Sequence, residues 1–379
     1  MCSAVPAHPP PTHRCVDTAT VAAEDPTVST ALHPRTVVRA AVAHGHTMKN
    51  SKHITIPNHF GKTQQLIKRL EERLSGKVIC YWISPNGSVC QNDVNVFNEI
   101  LGHVGKTQDI YLFIKSDGGD GKASLRMVHL LRQYCRNLYA LVPLNCESAA
   151  TMLALGSDLI YMGPMAFLTP VDTSVRHDLS PVDKSNDRVS IGVNEMERII
   201  SMWNKNVRDT DENAFKTLYQ HIHPLAIAAV DRAGSLSNML CNEIMGYHIK
   251  DRALRQRISK TLNSDYPSHG YPIVLKEAQR IGIKAAAIDA DVNDILIQLN
   301  ELYSEMGQKC RIDYDPHHHR DYEVLNIIEC GGTMVYYHLD KEWHYKESER
   351  TWRFTNDYSA YKQKIVKGGA VSERKFHVR

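Results

Sequence analysis

The sequence lacks the features that direct a chain into or across a membrane. It contains no run of about 18 apolar residues, and its first residues are rich in Pro, Thr and His instead of forming an apolar signal segment. It also lacks an excess of charge of one sign, since 45 basic and 42 acidic residues leave a net charge of +3. We therefore expect no signal peptide, no membrane span and no nucleic-acid partner.

Closely spaced cysteine pairs are missing as well. The nine cysteines are widely scattered, and none stands in a CxxC pair. An odd number of cysteines with such spacing is typical of free thiols in a reducing compartment. The sequence therefore predicts a cytoplasmic protein.

What is present divides into three segments. Residues 1–47 are small, polar and Pro-rich without helical or strand periodicity, so we expect a disordered leader. Ordinary globular sequence begins abruptly at Met48, which suggests that translation starts there and that the leader is not translated. Residues 48–300 are expected to form the main domain, and residues 301–379 a small β-rich appendage of antiparallel strands.

Short apolar strands alternate with amphipathic helices through the main domain. Strands are predicted at residues 78–83, 110–114 and 138–142, and helices precede or follow each of them. This alternation indicates an α/β fold with a parallel sheet and right-handed crossovers.

A helical extension follows the alternating part, and residues 214–245 are predicted to form one unusually long helix in it. Its apolar residues point to several sides, which is more than one small domain needs to bury. We therefore expect a homo-oligomer.

A glycine pair follows the strand at residues 110–114. Gly118 and Gly119 stand between that strand and the next helix, where adjacent glycines let the backbone approach a ligand and point N–H groups into a cleft. Such a turn suits an oxyanion hole. Taken alone, the pair is also typical of an ordinary flexible turn between a strand and a helix.

A serine occupies the corresponding place in the following strand–turn–helix unit. Ser148 stands at the start of a helix and is followed by the small residues Ala149, Ala150 and Thr151. In isolation this is the usual position of an N-cap serine. Cys146 precedes the helix and is expected to face the core instead of acting as a nucleophile.

Together the two units resemble the Clp/crotonase superfamily, and most of all the serine dehydrogenase proteinase family, which is related to Clp peptidase and signal peptide peptidase A. The resemblance extends over roughly residues 64–290. The matching elements are the GG turn, ESAATMLALGSD at 147–158, MGPMAFLTPVD at 162–172, His223-Pro224, Arg232, SHGYPI at 268–273, Glu277-Ala278 and Ile281-Gly282.

The resemblance implies a serine peptidase with a Clp/crotonase-like α/β core of ββα-type units. It makes Ser148 the nucleophile and the backbone N–H groups of Gly119 and Ala149 the oxyanion donors, with Gly118 shaping the turn. It also implies a polypeptide substrate, no cofactor, a trimer-based or ring-shaped homo-oligomer, and an unidentified unfoldase or membrane protein as a possible partner.

The general base does not follow from the resemblance. Clp peptidases carry a histidine after the helix–strand unit that follows the serine, but here that place reads FLTPVD and ends at Asp172. His269 stands about where those peptidases hold their aspartate, and it suits a base near neutral pH, although a loop histidine capping the next helix is an equal alternative. Lys184 is the second candidate, as a Ser–Lys dyad, against a solvated surface role. Asp172 is expected to brace its loop, with orienting the base as a minor alternative.

Two further interpretations stay open at this point. The same oxyanion hole is able to serve an acyl-thioester enzyme, which needs no nucleophile, and a chain without a working base is able to act as a scaffold or binding module.

His317, His318 and His319 form no metal-ligand pattern, because three consecutive side chains diverge, and an exposed turn is predicted there.

Overall fold

The computed structural model describes residues 56–184, 187–206 and 214–378. The predicted leader and Met48 lie outside the described residues. The fold is built on one large mixed sheet of 11 strands, which helices accompany.

Ten α-helices lie in the described part of the chain. None of them combines the length and the apolar character needed to cross a membrane. Their bounds are α1 Phe60–Leu74, α2 Gln91–Val104, α3 Gly121–Tyr134, α4 Ala149–Leu155, α5 Val193–Asn206, α6 Ala214–His221, α7 Pro224–Gly246, α8 Arg252–Lys260, α9 Leu275–Ile281 and α10 Ala290–Met306, and a π-helical turn covers Thr261–Asp265.

The strands are numbered in chain order. The first nine are β1 Lys77–Ile83, β2 Thr107–Lys115, β3 Cys135–Val142, β4 Asn145–Cys146, β5 Leu159–Met162, β6 Phe167–Leu168, β7 Ser174–Val175, β8 Ile191–Gly192 and β9 Ala285–Ala287. The last six are β10 Cys310–Asp315, β11 His318–Cys330, β12 Thr333–Lys346, β13 Thr351–Asp357, β14 Ala360–Lys367 and β15 Ala370–Phe376. The main sheet has the order β15-β14-β12-β11-β1-β2-β3-β5-β9, with β10 paired to β11 and β13 paired to β12.

The parallel strands β1, β2, β3, β5 and β9 form the centre of the fold and confirm the predicted α/β class. Alternate side chains of β1 enter two different hydrophobic clusters, as the period of two in a strand requires. Ile79 and Tyr81 pack with α2, α3 and α4, while Val78 and Trp82 pack with α1 and α10. Helices therefore cover both faces of the parallel sheet.

The loops that carry the candidate site all leave the same edge of this sheet. β2 runs into the Gly118-Gly119 turn, β3 leads to Ser148, and β5 leads to Asp172. Because these strands are parallel and adjacent, their carboxyl ends lie next to each other, which is where ligands bind in open α/β sheets.

The C-terminal strands continue the same sheet. β11 pairs with β1 in antiparallel register, with Ile79 opposite Cys330 and Ile83 opposite Asn326. The domain boundary predicted at residue 301 falls within α10. The strands from β10 to β15 therefore extend one edge of the main sheet and are joined to it by backbone hydrogen bonds.

The prediction of one helix over residues 214–245 is wrong. The segment forms α6 and α7, which are separated at His223. Pro224 lacks the N–H that a continuous helix needs and disfavours helical backbone in the residue before it, so it ends one helix and occupies the first turn of the next. The His223 side chain accepts from the Leu225 N–H at 3.2 Å as the N-cap of α7.

A buried carboxyl group connects α1, α10 and β11. Glu329 is fully buried and accepts hydrogen bonds from the Thr63 hydroxyl at 2.6 Å, the Gln64 amide at 2.7 Å and the Tyr303 hydroxyl at 2.7 Å. Burial raises the pKa of Glu329 to about 7, because these donors offset only part of the cost of removing a carboxylate from water.

This shift makes the stability of the fold depend on pH. The folded-state pKa of Glu329, about 7, exceeds its unfolded value of 4.5. The contribution of Glu329 to the free energy of unfolding is therefore fully present below pH 4.5 and is lost as pH rises through about 7. We expect Glu329→Gln, which mimics the protonated group, to be more stable than wild type above pH 7 by at most about 3 kcal/mol. Urea unfolding from about pH 4.5 to about pH 8.5 measures the difference, with the exposed Glu301→Gln as control, and a pH-independent difference would contradict it.

Candidate active site

Ser148 has an unusual backbone conformation. It connects β4 to α4 with φ 51° and ψ −114°, and it is one of three non-glycine residues with positive φ in the described part of the chain. Its hydroxyl makes no capping hydrogen bond, although the residue occupies the N-cap position. The N-cap role therefore does not explain the serine, and strain of this kind is frequent where a side chain must be presented to a ligand.

The glycine turn packs directly against this serine. Gly118 has φ 105°, and a Cβ atom at this position would lie 2.8 Å from the Ser148 Cβ and 3.4 Å from its Oγ. Gly119 has φ 147°, and its Cβ would overlap the Val89 backbone. Only glycine fits at either position, because an added side chain would displace the serine at one and the Val89 loop at the other.

Two backbone N–H groups near Ser148 have no acceptor among the described residues. The Gly118 N–H donates to the Ser116 Oγ at 3.0 Å and is already used, but the N–H groups of Gly119 and Ala149 donate to no described acceptor. Ala149 begins a helix that is buried throughout. These are the two donors that the resemblance assigns to the oxyanion hole. Gly119 is exposed, whereas Ala149 is buried.

Thr169 connects the serine loop to the next loop along the sheet. Its Oγ1 accepts from the Ser148 N–H at 2.8 Å, and its own N–H donates to the Thr151 Oγ1 at 3.2 Å. Both threonines are fully buried. Sequence reasoning missed this connection, because threonines in an apolar segment do not reveal their partners. It fixes the Ser148 backbone to the segment that contains Asp172.

Asp172 and His269 form a hydrogen-bonded pair. The His269 Nδ1 and the Asp172 Oδ1 lie 2.9 Å apart, and the aspartate is the more buried partner, with 16% of its side chain exposed against 52% for the histidine. The hydrogen bond to Asp172 raises the pKa of His269, although partial burial opposes this. Asp172 therefore contacts one of the two candidate bases.

The His269 loop is attached close to the serine loop. Leu168 and Ile273 exchange two backbone hydrogen bonds of 3.0 and 2.8 Å, which tie residues 268–273 to the segment beside Thr169. The Glu147 carboxylate also contributes to the raised pKa of His269. The imidazole therefore lies within electrostatic range of the residue that precedes Ser148.

No described side chain lies within hydrogen-bond distance of the Ser148 Oγ, so neither candidate base touches it here. Lys184 is exposed in the loop between β7 and β8. His269, by contrast, has its Nδ1 held by Asp172 and its ring half exposed, so its Nε2 is the nitrogen available to a substrate or a serine. Catalytic hydrogen bonds are frequently open in a free enzyme and close with substrate bound.

Acidic groups border the site on the side of the glycine turn. The Asn145 amide donates to Asp117 and, at 3.2 Å, to Glu147. Burial raises the pKa of Glu147, and the neighbouring Asp117 adds to this effect. Burial lowers the pKa of Lys115 while the two carboxylates oppose that change. A carboxylate beside the oxyanion donors opposes developing negative charge. The Lys115 ammonium itself donates to the Ile83 carbonyl at 3.0 Å.

Two other residue sets contain potentially reactive side chains. Cys146 is fully buried, and burial raises the pKa of its thiol, so it lacks the properties of a reactive cysteine.

His317 is exposed in a turn, as predicted, but the same expectation is wrong for His319, which is buried in β11. The reason is the strand alternation, which directs every second side chain of β11 inwards.

Comparisons with known sequences find a distant relative. No protein-family profile matches the chain. An uncharacterized protein of Methanocaldococcus jannaschii is 25% identical over 213 residues, which cover 56% of this chain and 65% of that protein. The chain thus spans slightly less than two thirds of the relative that it matches.

Two solved structures are similar in fold. A mutant form of the 1510-N membrane-bound stomatin-specific protease is 16% identical with a TM-score of 0.34, covering 62% of this chain and 85% of the protease. A mutant form of ClpP1 from Listeria monocytogenes is 14% identical with a TM-score of 0.31, covering 61% of this chain and 99% of that one. Both TM-scores are below 0.5.

Proposed function

We propose that the protein is a serine peptidase that hydrolyses peptide bonds with Ser148 as nucleophile and His269 as general base. The observation that carries this proposal is the 2.9 Å hydrogen bond between the His269 Nδ1 and the Asp172 Oδ1, on loops attached to the serine loop. A carboxylate that fixes the tautomer of an imidazole beside a strained serine is the arrangement of a Ser-His-Asp triad.

The order of the triad along the chain follows from this pairing. Asp172 stands where the sequence resemblance expected a histidine, and His269 stands where it expected an aspartate. Two residues that face each other are able to exchange identities while the pair is kept, because the hydrogen bond joins the same two loops. The general base missing from the sequence pattern is thus supplied from the opposite loop.

Each chemical step has a group to perform it. The Ser148 Oγ attacks the substrate carbonyl while the His269 Nε2 takes its proton, and the N–H groups of Gly119 and Ala149 stabilise the oxyanion. The imidazolium then gives the proton to the departing amine. A water molecule activated by the same histidine hydrolyses the acyl-enzyme. Asp172 stabilises the imidazolium throughout without being protonated.

A fluorophosphonate probe tests this proposal. We expect the probe to modify wild-type protein at Ser148, detected by mass spectrometry of the labelled peptide, and to leave Ser148→Ala unlabelled. Casein or peptide cleavage should fall by roughly 10³-fold or more in that variant, as expected when a covalent nucleophile is removed. The exposed Lys184→Ala serves as control and should keep wild-type activity.

The outcome also separates the alternatives. Peptide cleavage at equal rates in wild type and Ser148→Ala would remove the peptidase proposal. An unlabelled serine together with turnover of acyl-thioesters would indicate a thioester enzyme that uses only the oxyanion hole. An unlabelled serine with no turnover of either substrate would indicate a scaffold.

A homo-oligomer remains part of the proposal. α7 buries much of its apolar surface within the chain, which accounts for some of the apolar residues that suggested assembly. Apolar side chains on the helical extension nevertheless stay exposed, including Leu225 at 59%, Met239 at 57% and Met202 at 62%. Exposed apolar side chains concentrated on one extension favour contact with another subunit.

A further inference from the structure

The serine loop is a tight turn with Ser148 near its apex. The Ala150 N–H donates to the Glu147 carbonyl at 2.8 Å, so Ser148 and Ala149 are the two central residues of a four-residue turn. The Ser148 angles, φ 51° and ψ −114°, match the first central position of a type II′ turn, which favours glycine. A serine in this conformation is strained, so the surrounding contacts must hold its backbone there.

A buried hydroxyl group holds this backbone. The Thr169 Oγ1 accepts from the Ser148 N–H at 2.8 Å, and the same hydroxyl donates to the Pro170 carbonyl at 3.2 Å. Thr169 is fully buried, so water does not readily replace its oxygen as the acceptor. Loss of the hydroxyl would leave the Ser148 N–H without its partner, which is costly at a site closed to solvent.

A second threonine connects this bond to the strand that precedes the serine. The Thr151 Oγ1 accepts from the Thr169 N–H at 3.2 Å and donates to the Cys146 carbonyl at 2.8 Å, and Thr151 is also fully buried. The two hydroxyls therefore bind the main chain on both sides of Glu147. Rotation of the peptide between Glu147 and Ser148 would break the bond to Thr169, which opposes relief of the strain by that route.

The segment that contains Thr169 also contacts the other two residues of the proposed triad. Leu168 exchanges two backbone hydrogen bonds with Ile273 of the His269 loop, and Asp172 pairs with His269 at 2.9 Å. Thr169 lies between these two contacts in the chain. The segment 168–172 is thus attached both to the nucleophile and to the base.

We propose that Thr169 is a positioning residue of the reaction, whose hydroxyl keeps Ser148 in the strained turn with its Oγ beside the glycine turn. The inference rests on the proposed peptidase function and adds a residue that contacts neither the substrate nor the transferred proton. A serine released from this bond would relax to the negative φ that L-residues prefer, which changes the direction of its Cβ and of its Oγ. The bond to Thr169 also occupies the Ser148 N–H, so this N–H is not an oxyanion donor.

Thr169→Val tests the role of the hydroxyl, because valine keeps the branched shape and lacks the acceptor. We expect kcat on a fluorogenic peptide to fall by roughly 10²-fold, as for a misplacement of about 1 Å, with KM changed by less than about threefold. Labelling of Ser148 by the fluorophosphonate should slow in parallel. Thr169→Ser keeps the hydroxyl and should recover kcat to within about fivefold of wild type.

Thr333→Val is the matched control for this substitution. Thr333 is also fully buried, and its hydroxyl donates to the Lys364 carbonyl at 3.1 Å in the C-terminal strands. The control loses a buried hydrogen bond and should keep the wild-type kcat, while urea unfolding shows that both variants are folded under assay conditions. Full kcat in folded Thr169→Val, or an equal loss of kcat in Thr333→Val, would overturn the proposal.

Crystal structures of the variants separate this inference from the peptidase proposal. We expect Ser148 to leave positive φ in Thr169→Val and to keep it in Thr169→Ser. If this occurs while wild type neither cleaves peptides nor labels at Ser148, Thr169 does hold the Ser148 backbone and the peptidase function is wrong. If wild type cleaves and labels while Ser148 stays at positive φ in folded Thr169→Val, the peptidase function stands and the role of Thr169 is wrong.

Discussion

Replacing Asp172 with asparagine should lower kcat by roughly 10³-fold or more while KM changes little. The carboxylate accepts the hydrogen bond of the His269 Nδ1 at 2.9 Å. In the proposed mechanism it stabilises the positive charge that the imidazole acquires when it takes the Ser148 proton. An amide at the same place supplies no negative charge and is able to hold the imidazole in the wrong tautomer. Steady-state kinetics on a fluorogenic peptide measures the change.

The pH profile distinguishes this role from a structural one. His269 works as a base only when neutral, and its raised pKa places the acid limb of kcat/KM above pH 6.5, with activity increasing as pH rises through it. Loss of the Asp172 charge should move that limb to lower pH, whereas a merely unfolded fraction would lower activity without moving it.

Two control variants complete this experiment. Asp178→Asn changes an aspartate of the next loop whose side chain is 98% exposed and should leave the rate unchanged. Lys184→Ala should also retain activity. An inactive Lys184→Ala together with an Asp172→Asn variant within about threefold of wild type would assign the base to the lysine instead.

The parts of the site that the sequence made predictable are local in the chain. Strand periodicity located β2 and β3, and the residues that follow them directly are the glycine pair and Ser148. Their backbone conformations agree with the residue types, since positive φ at Gly118 and Gly119 is available only to glycine at low cost. A position defined by a strand end and the next few residues requires no knowledge of distant contacts.

The pairing of Asp172 with His269 was not predictable in this way. The two residues are 97 positions apart, and their loops meet only because Leu168 and Ile273 form a bridge across the sheet edge. The sequence pattern was compared with the Clp peptidases one position at a time. The comparison therefore gave a missing histidine in the loop that ends at Asp172 and, separately, an unexpected histidine at position 269. The contact between the two residues is visible only in three dimensions.

The error in the helical extension has a different cause. The signal was present at His223-Pro224, since proline favours the first turn of a helix and ends the preceding one. The regular apolar spacing on both sides of it supported a single helix more strongly than one proline opposed it.

In contrast, the attachment of β11 to β1 depends on which edge of the sheet is open, and local sequence carries no information about that edge.

Gly119→Ala should lower kcat by roughly 10²-fold to 10³-fold, as expected for the loss of one oxyanion donor. A Cβ atom there would lie 2.5 Å from the Val89 nitrogen, and alanine disfavours φ 147°. The turn has to move, which breaks the bonds from the Val89 N–H to the Gly118 carbonyl and from the Asp120 N–H to the Val89 carbonyl, each 2.8 Å long. The Gly119 N–H then no longer faces the carbonyl attacked by Ser148.

A neighbouring glycine provides the matched control for this substitution. At Gly121 an added Cβ would meet the flexible Met152 side chain at 2.6 Å and Leu240 at 3.3 Å, and the backbone has no positive φ to preserve, so Gly121→Ala should stay within about threefold of the wild-type rate. Circular dichroism and thermal melting of both variants measure whether the fold is kept. If folded Gly119→Ala retains the full kcat, the glycine turn does not supply the oxyanion donor, and the stabilisation of the tetrahedral intermediate has to come from Ala149 and another group.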